Sequence, residues 1–323
     1  MQAPGRHILK AGLGILFLGL AACTEQTPSA PPPQTPVQRT QAPAAAPKPL
    51  PEIARPTSQA SAELRSYLNQ VQGAQLSQGL LRRDGGGTDT PFTNTMLARN
   101  FEQIAFFNEY DSTFTARGGA SPLRRWVAPV RMDVIFGAAV PPSQRKSDGA
   151  DVRSYVNRLA RVTGHPVSMS KNPNFIVIIA GEDDRGEALA EAAARMPGIS
   201  AASLAPLLNL RNDTYCVVAA YAGGAGDNTY TAALAVIRAE NPSLLRLSCI
   251  HEELAQGLGL ANDSPSARPS IFNDDDEFAL LTRQDELMLR MLYDPRLRPG
   301  MSADEARPTV QTIAAELTDS GPV

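Results

Sequence analysis

Apolar residues recur at every second position at Val130, Met132, Val134 and Phe136, the pattern of a strand with one buried face. The segment 174–180 (NFIVIIA) is apolar after its first residue, as a central strand covered on both faces requires. Segments 167–170, 214–221 and 230–238 read as further strands. Between them the period lengthens to that of a helix. Val152, Tyr155, Val156, Leu159 and Val162 stripe one face of a helix over 147–163, and Gly164 ends it. Helices also read at 185–195 and 248–257. Upstream, Leu64, Leu68 and Val71 mark a helix within 62–81. Met96, Leu97, Phe101, Ile104, Ala105 and Asn108 mark another, from Thr93 or Asn94 to about 110. Thr282 as N-cap, with Asp285 three residues on, opens a last helix that runs to Tyr293. The order β-α-β-β-α-β-β-α predicts an α/β (α+β) fold, a mixed sheet with helices packed on it and N-terminal helices before it.

The first sixty residues follow a different logic. Arg6 and Lys10 precede an apolar run at 11–20, too short to span about 30 Å of hydrocarbon and suited to a secretory signal. Leu20-Ala21-Ala22-Cys23 closely resembles a bacterial lipobox. The resemblance implies cleavage before Cys23, acylation of Cys23 and a lipid bilayer as partner. It places the chain in the cell envelope, lipid-anchored and outer-membrane in lean, facing the periplasm. Residues 24–60 hold ten of the 27 prolines and read as a semi-rigid tether. The expected layout is a signal peptide over 1–22, lipidated Cys23 and tether over 23–60, a helical segment over 61–125 and the main domain over 126–323.

Composition narrows the chemistry. The 323 residues carry a formal charge of −3, which gives no case for nucleic-acid binding. There are 3 His and 3 Cys. His7 falls in the leader, so a three-His zinc site is excluded for the mature chain, and no C-x-x-C pair exists. With Cys23 lipidated, Cys216 and Cys249 are an even pair in an exported domain. A disulfide is expected between them, with two buried free thiols as the alternative.

The segment 249–263 (CIHEELAQGLGLAND) concentrates the candidate chemistry. His251-Glu252 starts an H-E-x-x-H pattern, but Ala255 stands where the second His belongs. Shifted by one residue, the segment resembles the metzincin peptidase motif H-E-x-x-H-x-x-G-x-x-H, often followed by Asp. Glu252, Gln256 and Asn262 then stand at the three ligand positions, Glu253 at the general base, Gly259 at the turn glycine and Asp263 after the third ligand. Ser270-Ile271-Phe272 stands where a Met-turn is expected, and the helix after Thr282 is similar to a matrixin terminal helix. The resemblance covers about 126–296 and implies a zincin-like fold. The chain also resembles an uncharacterised proteobacterial lipoprotein family sharing the core Glu-Glu-Leu-x-Gln-x-Leu-Gly-Leu-x-Asn-Asp, met here at 252–263.

With every imidazole replaced, the donors at these positions are oxygens. They suit calcium, magnesium or manganese at a weak site built from Glu252, Gln256, Asn262 and Asp263, and no other cofactor is expected. The expectation is therefore a degenerate metzincin-like domain that binds an extended peptide or envelope protein without catalysis. Its cleft would lie between strand 214–221 and helix 249–257. The alternative is a peptidase-like hydrolase with Glu253 as general base and a non-zinc metal. His251 reads as a surface or cap residue, 273–277 as a solvated acidic loop, and Gly85-Gly86-Gly87 as a flexible joint.

Overall fold

The computed structural model describes residues 54–109, 118–196, 198–223 and 227–318. The leader, Cys23 and nearly all of the Pro-rich stretch lie outside the described residues. Within them, no helix is long and apolar enough to cross a membrane.

The fold is mixed α/β, built on one six-stranded sheet. The strands are β1 (Arg125–Trp126), β2 (Val130–Phe136), β3 (Val167–Met169), β4 (Phe175–Ala180), β5 (Cys216–Ala222) and β6 (Thr229–Arg238). Hydrogen bonding orders them β1-β6-β4-β2-β3, all parallel, with β5 pairing antiparallel to β6. Every residue of β4 is buried, which is why that segment shows no polar alternation.

The helices are α1 (Gln59–Ser77), α2 (Asn94–Ala105), α3 (Pro142–Thr163), α4 (Arg185–Arg195), α5 (Ala201–Leu208), α6 (Ser243–Gln256), α7 (Arg283–Leu292) and α8 (Ala303–Thr318). One face of the sheet carries Met132, Phe175, Val177, Ala233 and Ala235 against Val156 and Leu159 of α3, Cys249 and Leu254 of α6, and Met288 and Leu292 of α7. Leu97 and Phe101 of α2 and Val310 of α8 join the same core. The opposite face carries Ile176, Ile178 and Val236 against Leu189 of α4 and Leu207 of α5.

Several boundaries differ from the sequence reading, each for a physical reason. Helix α3 starts at Pro142, not at 147, because its first turn is polar and Pro sits where no intrahelical N–H is required. Helix α6 starts at Ser243, and α2 ends at Ala105. Helices α5 and α8 each hold an internal proline, Pro206 and Pro308, which masks a helical signal. The triple glycine is not a free joint. Arg283 N–H donates to the Gly85 carbonyl, and the Arg82 guanidinium holds Asp84, Asp89 and Glu277 together.

Helix α1 lies across the ends of the parallel strands, where Ser61 Oγ donates to Glu240 Oε1 (2.7 Å) and Arg65 to the Ala239 carbonyl. Its far end meets the acidic loop, where Gln75 Nε2 donates to Asp276 Oδ2 (2.7 Å).

Candidate functional site

Helix α6 is fixed at both ends. Near its start, Arg246 forms a buried ion pair with Asp148 of α3 (2.7 Å). At its end the Trp126 indole N–H donates to the Gly257 carbonyl (2.8 Å), with the Trp126 ring stacked on Phe175. The chain then turns at Gly259, whose φ of 130° is nearly closed to other residues. A Cβ there would lie 2.4 Å from the Arg124 carbonyl oxygen. The turn thus needs glycine twice over, for its dihedral and for its packing.

The disulfide expected from the cysteine count is present. Cys216, the first residue of β5, is bonded to Cys249 on α6, with Cα atoms 5.8 Å apart. The bond clamps the edge strand onto the helix that carries the motif. Both Cys216 and Cys249 are therefore oxidised, and the free-thiol alternative is set aside.

His251 is not a surface residue. It is 8% exposed, its ring stacks on Tyr155 at 4.0 Å, and its Nδ1 accepts from Leu281 N–H (3.0 Å). Burial lowers its pKa to about 3, and nearby Arg158 adds to the effect, so the ring stays neutral. It is a core residue that joins α6 to the entry of α7.

Glu252 and Glu253 follow it. Neighbouring helical residues do not share a face, yet oxygens of these two carboxylates and the Cys216 sulfur all lie within 4.8 Å of one another. Glu253 is 4% exposed and its Oε2 has no hydrogen-bond partner. Gln256, one turn on, donates through Nε2 to Asp263 Oδ1 (3.1 Å) and Glu109 Oε2 (3.3 Å). Asn262 is directed elsewhere, its Nδ2 donating to the Gln103 carbonyl (2.9 Å). The structure thus brings Glu252, Glu253, Gln256 and Asp263 into one neighbourhood and occupies the Asn262 amide outside it. It adds Glu109, which lies 147 positions before Gln256 and has no local motif to announce it.

The electrostatics are those of crowded carboxylates. Burial, then the charge of Asp263, then that of Glu253 push the Glu252 carboxyl well above the usual range. Burial, then Glu109 and Asp263, do the same to Glu253. Burial and Glu109 raise Asp263, against the lowering effect of the Gln256 hydrogen bond. The acidic loop adds Asp274 and Asp276 to this field, while its Glu277 is tied down by Arg82 and Arg268.

The downstream turn is held by one buried carboxylate. Asp285 accepts from Ile271 N–H, Thr282 N–H and the Ser270 hydroxyl, and completes the capping box of α7. Phe272 is fully buried in the core.

The donor chemistry does not fit zinc. Zinc prefers imidazole and thiolate. Here the three motif positions carry a carboxylate and two amides, the nearby sulfur is in a disulfide, and both imidazoles among the described residues are engaged, His251 with Leu281 and His165 with the Ala128 carbonyl.

No curated protein and no solved structure matches the chain. The sequence profile of DUF2927, described as a protein of unknown function, matches residues 94–312, which is 219 of the 323 residues and takes in helix α6, strand β5 and Glu109. The chain belongs to the DUF2927 family.

Proposed function

We propose that this chain is a lipid-anchored envelope protein whose zincin-like domain binds an extended segment of a peptide or envelope protein without cleaving it. The observation that carries the reading is the edge of β5. Arg238 N–H bonds to the Tyr215 carbonyl, and Ala233 N–H bonds away from β5, to Asn174. Antiparallel alternation then turns the backbone groups of Val218 and Ala220 outward, away from β6. Among the described residues nothing pairs with that edge.

Natural edge strands are usually blunted by charge, proline or brevity. This one reads CVVAAYA over seven residues, with no charge and no proline. It is anchored by the Cys216–Cys249 bond above Glu252 and Glu253. An extended segment adding as a further strand would take up the free groups and pass over the acidic pocket. The antiparallel edge strand, the helix beneath it, the glycine turn at Gly259 and the Ser270–Phe272 turn support the zincin-like relationship.

The hydrolase alternative asks Glu253 to act as a general base, and a base must be ionised. Burial, then the charges of Glu109 and Asp263, raise this carboxyl's pKa and disfavour its ionised form, which weighs against that role.

Panning a displayed library of random peptides against the purified full-length chain tests the proposal. Selected peptides should bind the wild type and lose about tenfold or more in affinity to Val218→Pro or Ala220→Pro. Each change removes one outward N–H at an edge where proline is tolerated. Glu253→Gln should leave that binding intact. Peptides that bind the proline variants as tightly as the wild type, with both variants folded by circular dichroism, would place any recognition elsewhere.

A further inference from the structure

We propose that the pocket beneath β5 is a site for a hard divalent cation, calcium first and manganese or magnesium after it, held by the converging carboxylates of Glu252 and Glu253 with the charge of Asp263 beside them. The inference does not depend on strand addition at β5.

Three observations converge on it. Buried carboxylates in proteins are paired with cations or coordinate metals. Glu252, Glu253 and Asp263 have no ion pair among the described residues, although Arg82, Arg268 and Arg158 neutralise other acids nearby in sequence. Second, Glu253 is 96% buried, and its Oε2 is shut off from solvent with no donor aimed at it. A missing donor at a buried carboxylate costs free energy that no group among the described residues recovers. Third, the carboxylates of Glu252 and Glu253 converge although adjacent helical residues diverge. Without a cation between them, that convergence is repulsive.

The donor set also selects the ion. Calcium, magnesium and manganese take carboxylate and amide oxygens, while zinc gains little from a site without imidazole or thiolate. Gln256 acts as a positioning residue, because its amide donates to Asp263 and fixes the rotamer of that carboxylate. Three carboxylates and a half-open setting match weak extracellular calcium sites, with Kd on the order of 10⁻⁴–10⁻³ M. The ion would neutralise the pocket and leave coordination positions for water or for a carbonyl of a segment lying along β5.

Titration of the chelator-treated full-length chain with calcium, magnesium, manganese and zinc chlorides tests this by calorimetry and by thermal unfolding. Calcium or manganese should bind about one equivalent. At 10 mM calcium the unfolding midpoint should rise by about 3–8 °C. Glu253→Gln and Asp263→Asn should each weaken binding about tenfold or more while folding normally, and Gln256→Ala should weaken it less. No heat and no shift with any of the three hard cations would overturn the proposal. So would binding that neither carboxylate variant affects, or binding of zinc alone. In each of those cases peptide binding blocked by Val218→Pro would still stand, so the two readings fail separately.

Discussion

Replacing Glu253 with Gln should make the cation-free protein more stable, and the gain should depend on pH in a defined direction. Glu253 is 4% exposed and one of its oxygens has no partner. An unsatisfied buried polar group costs about 1–3 kcal/mol, more when charged. The amide is nearly isosteric and carries no charge to be repelled by Glu109 and Asp263. We expect a gain of about 1–2 kcal/mol at pH 8 in the presence of chelator. The folded-state pKa of this carboxyl is raised above its unfolded value. Its protonated form therefore carries no penalty below the unfolded value, near 4.3, and the penalty of burying the ionised form grows as pH rises through the folded pKa. The advantage of Gln should shrink towards zero by about pH 4.5. Urea unfolding of both chains at pH 4.5 and pH 8, with unchanged slope, measures it. A Gln variant less stable than the wild type by the same amount at both pH values would refute the reasoning. It would show that the carboxylate is a structural asset rather than a binding group.

Other outcomes follow from the same geometry. The Cys216→Ser/Cys249→Ser double variant should lose about 3–4 kcal/mol, from the 33-residue separation that the bond closes, read as a lower urea midpoint than the oxidised wild type. Gly259→Ala should cost at least about 3 kcal/mol in the same assay, since it meets both an unfavourable φ of 130° and a backbone oxygen 2.4 Å from the new Cβ. In an NMR titration the His251 ring should stay neutral through pH 5 and titrate at about 3. Its depressed pKa means that it contributes stability above its unfolded value, near 6.5, which is lost as pH falls towards the folded one. A midpoint near 6.5 would contradict its packing on Tyr155.

Much of the fold was legible because burial leaves periodic traces. Strand β4 shows the continuous apolar run of a doubly covered strand, and α4 was bounded at Arg185 and Arg195 by its own pattern. Thr282 and Asp285 form the capping box that their spacing implies. Cys216 and Cys249 pair as the cysteine count suggests. What was not legible depends on contacts between distant segments. Strand β1 is two residues long and exists only by pairing with β6. His251 looks polar in the sequence, but its ring is needed to receive Leu281 N–H inside the core. Glu109 enters the pocket from a segment with no recognisable motif, and Asn262 turns to the Gln103 carbonyl for reasons of loop geometry that spacing does not encode. The crowding of Glu252 against Glu253 is likewise a product of side-chain direction, since helical spacing alone separates them.

The most direct measurement is amide hydrogen exchange at Val218 and Ala220, followed by NMR in the isotopically labelled chain with and without a selected peptide. The outward groups of β5 should exchange fast in the free protein and become protected on binding, while the β6 amides that already bond to β4 and β5 stay unchanged. Peptide binding that leaves Val218 and Ala220 exchanging as fast as before would contradict strand addition at this edge.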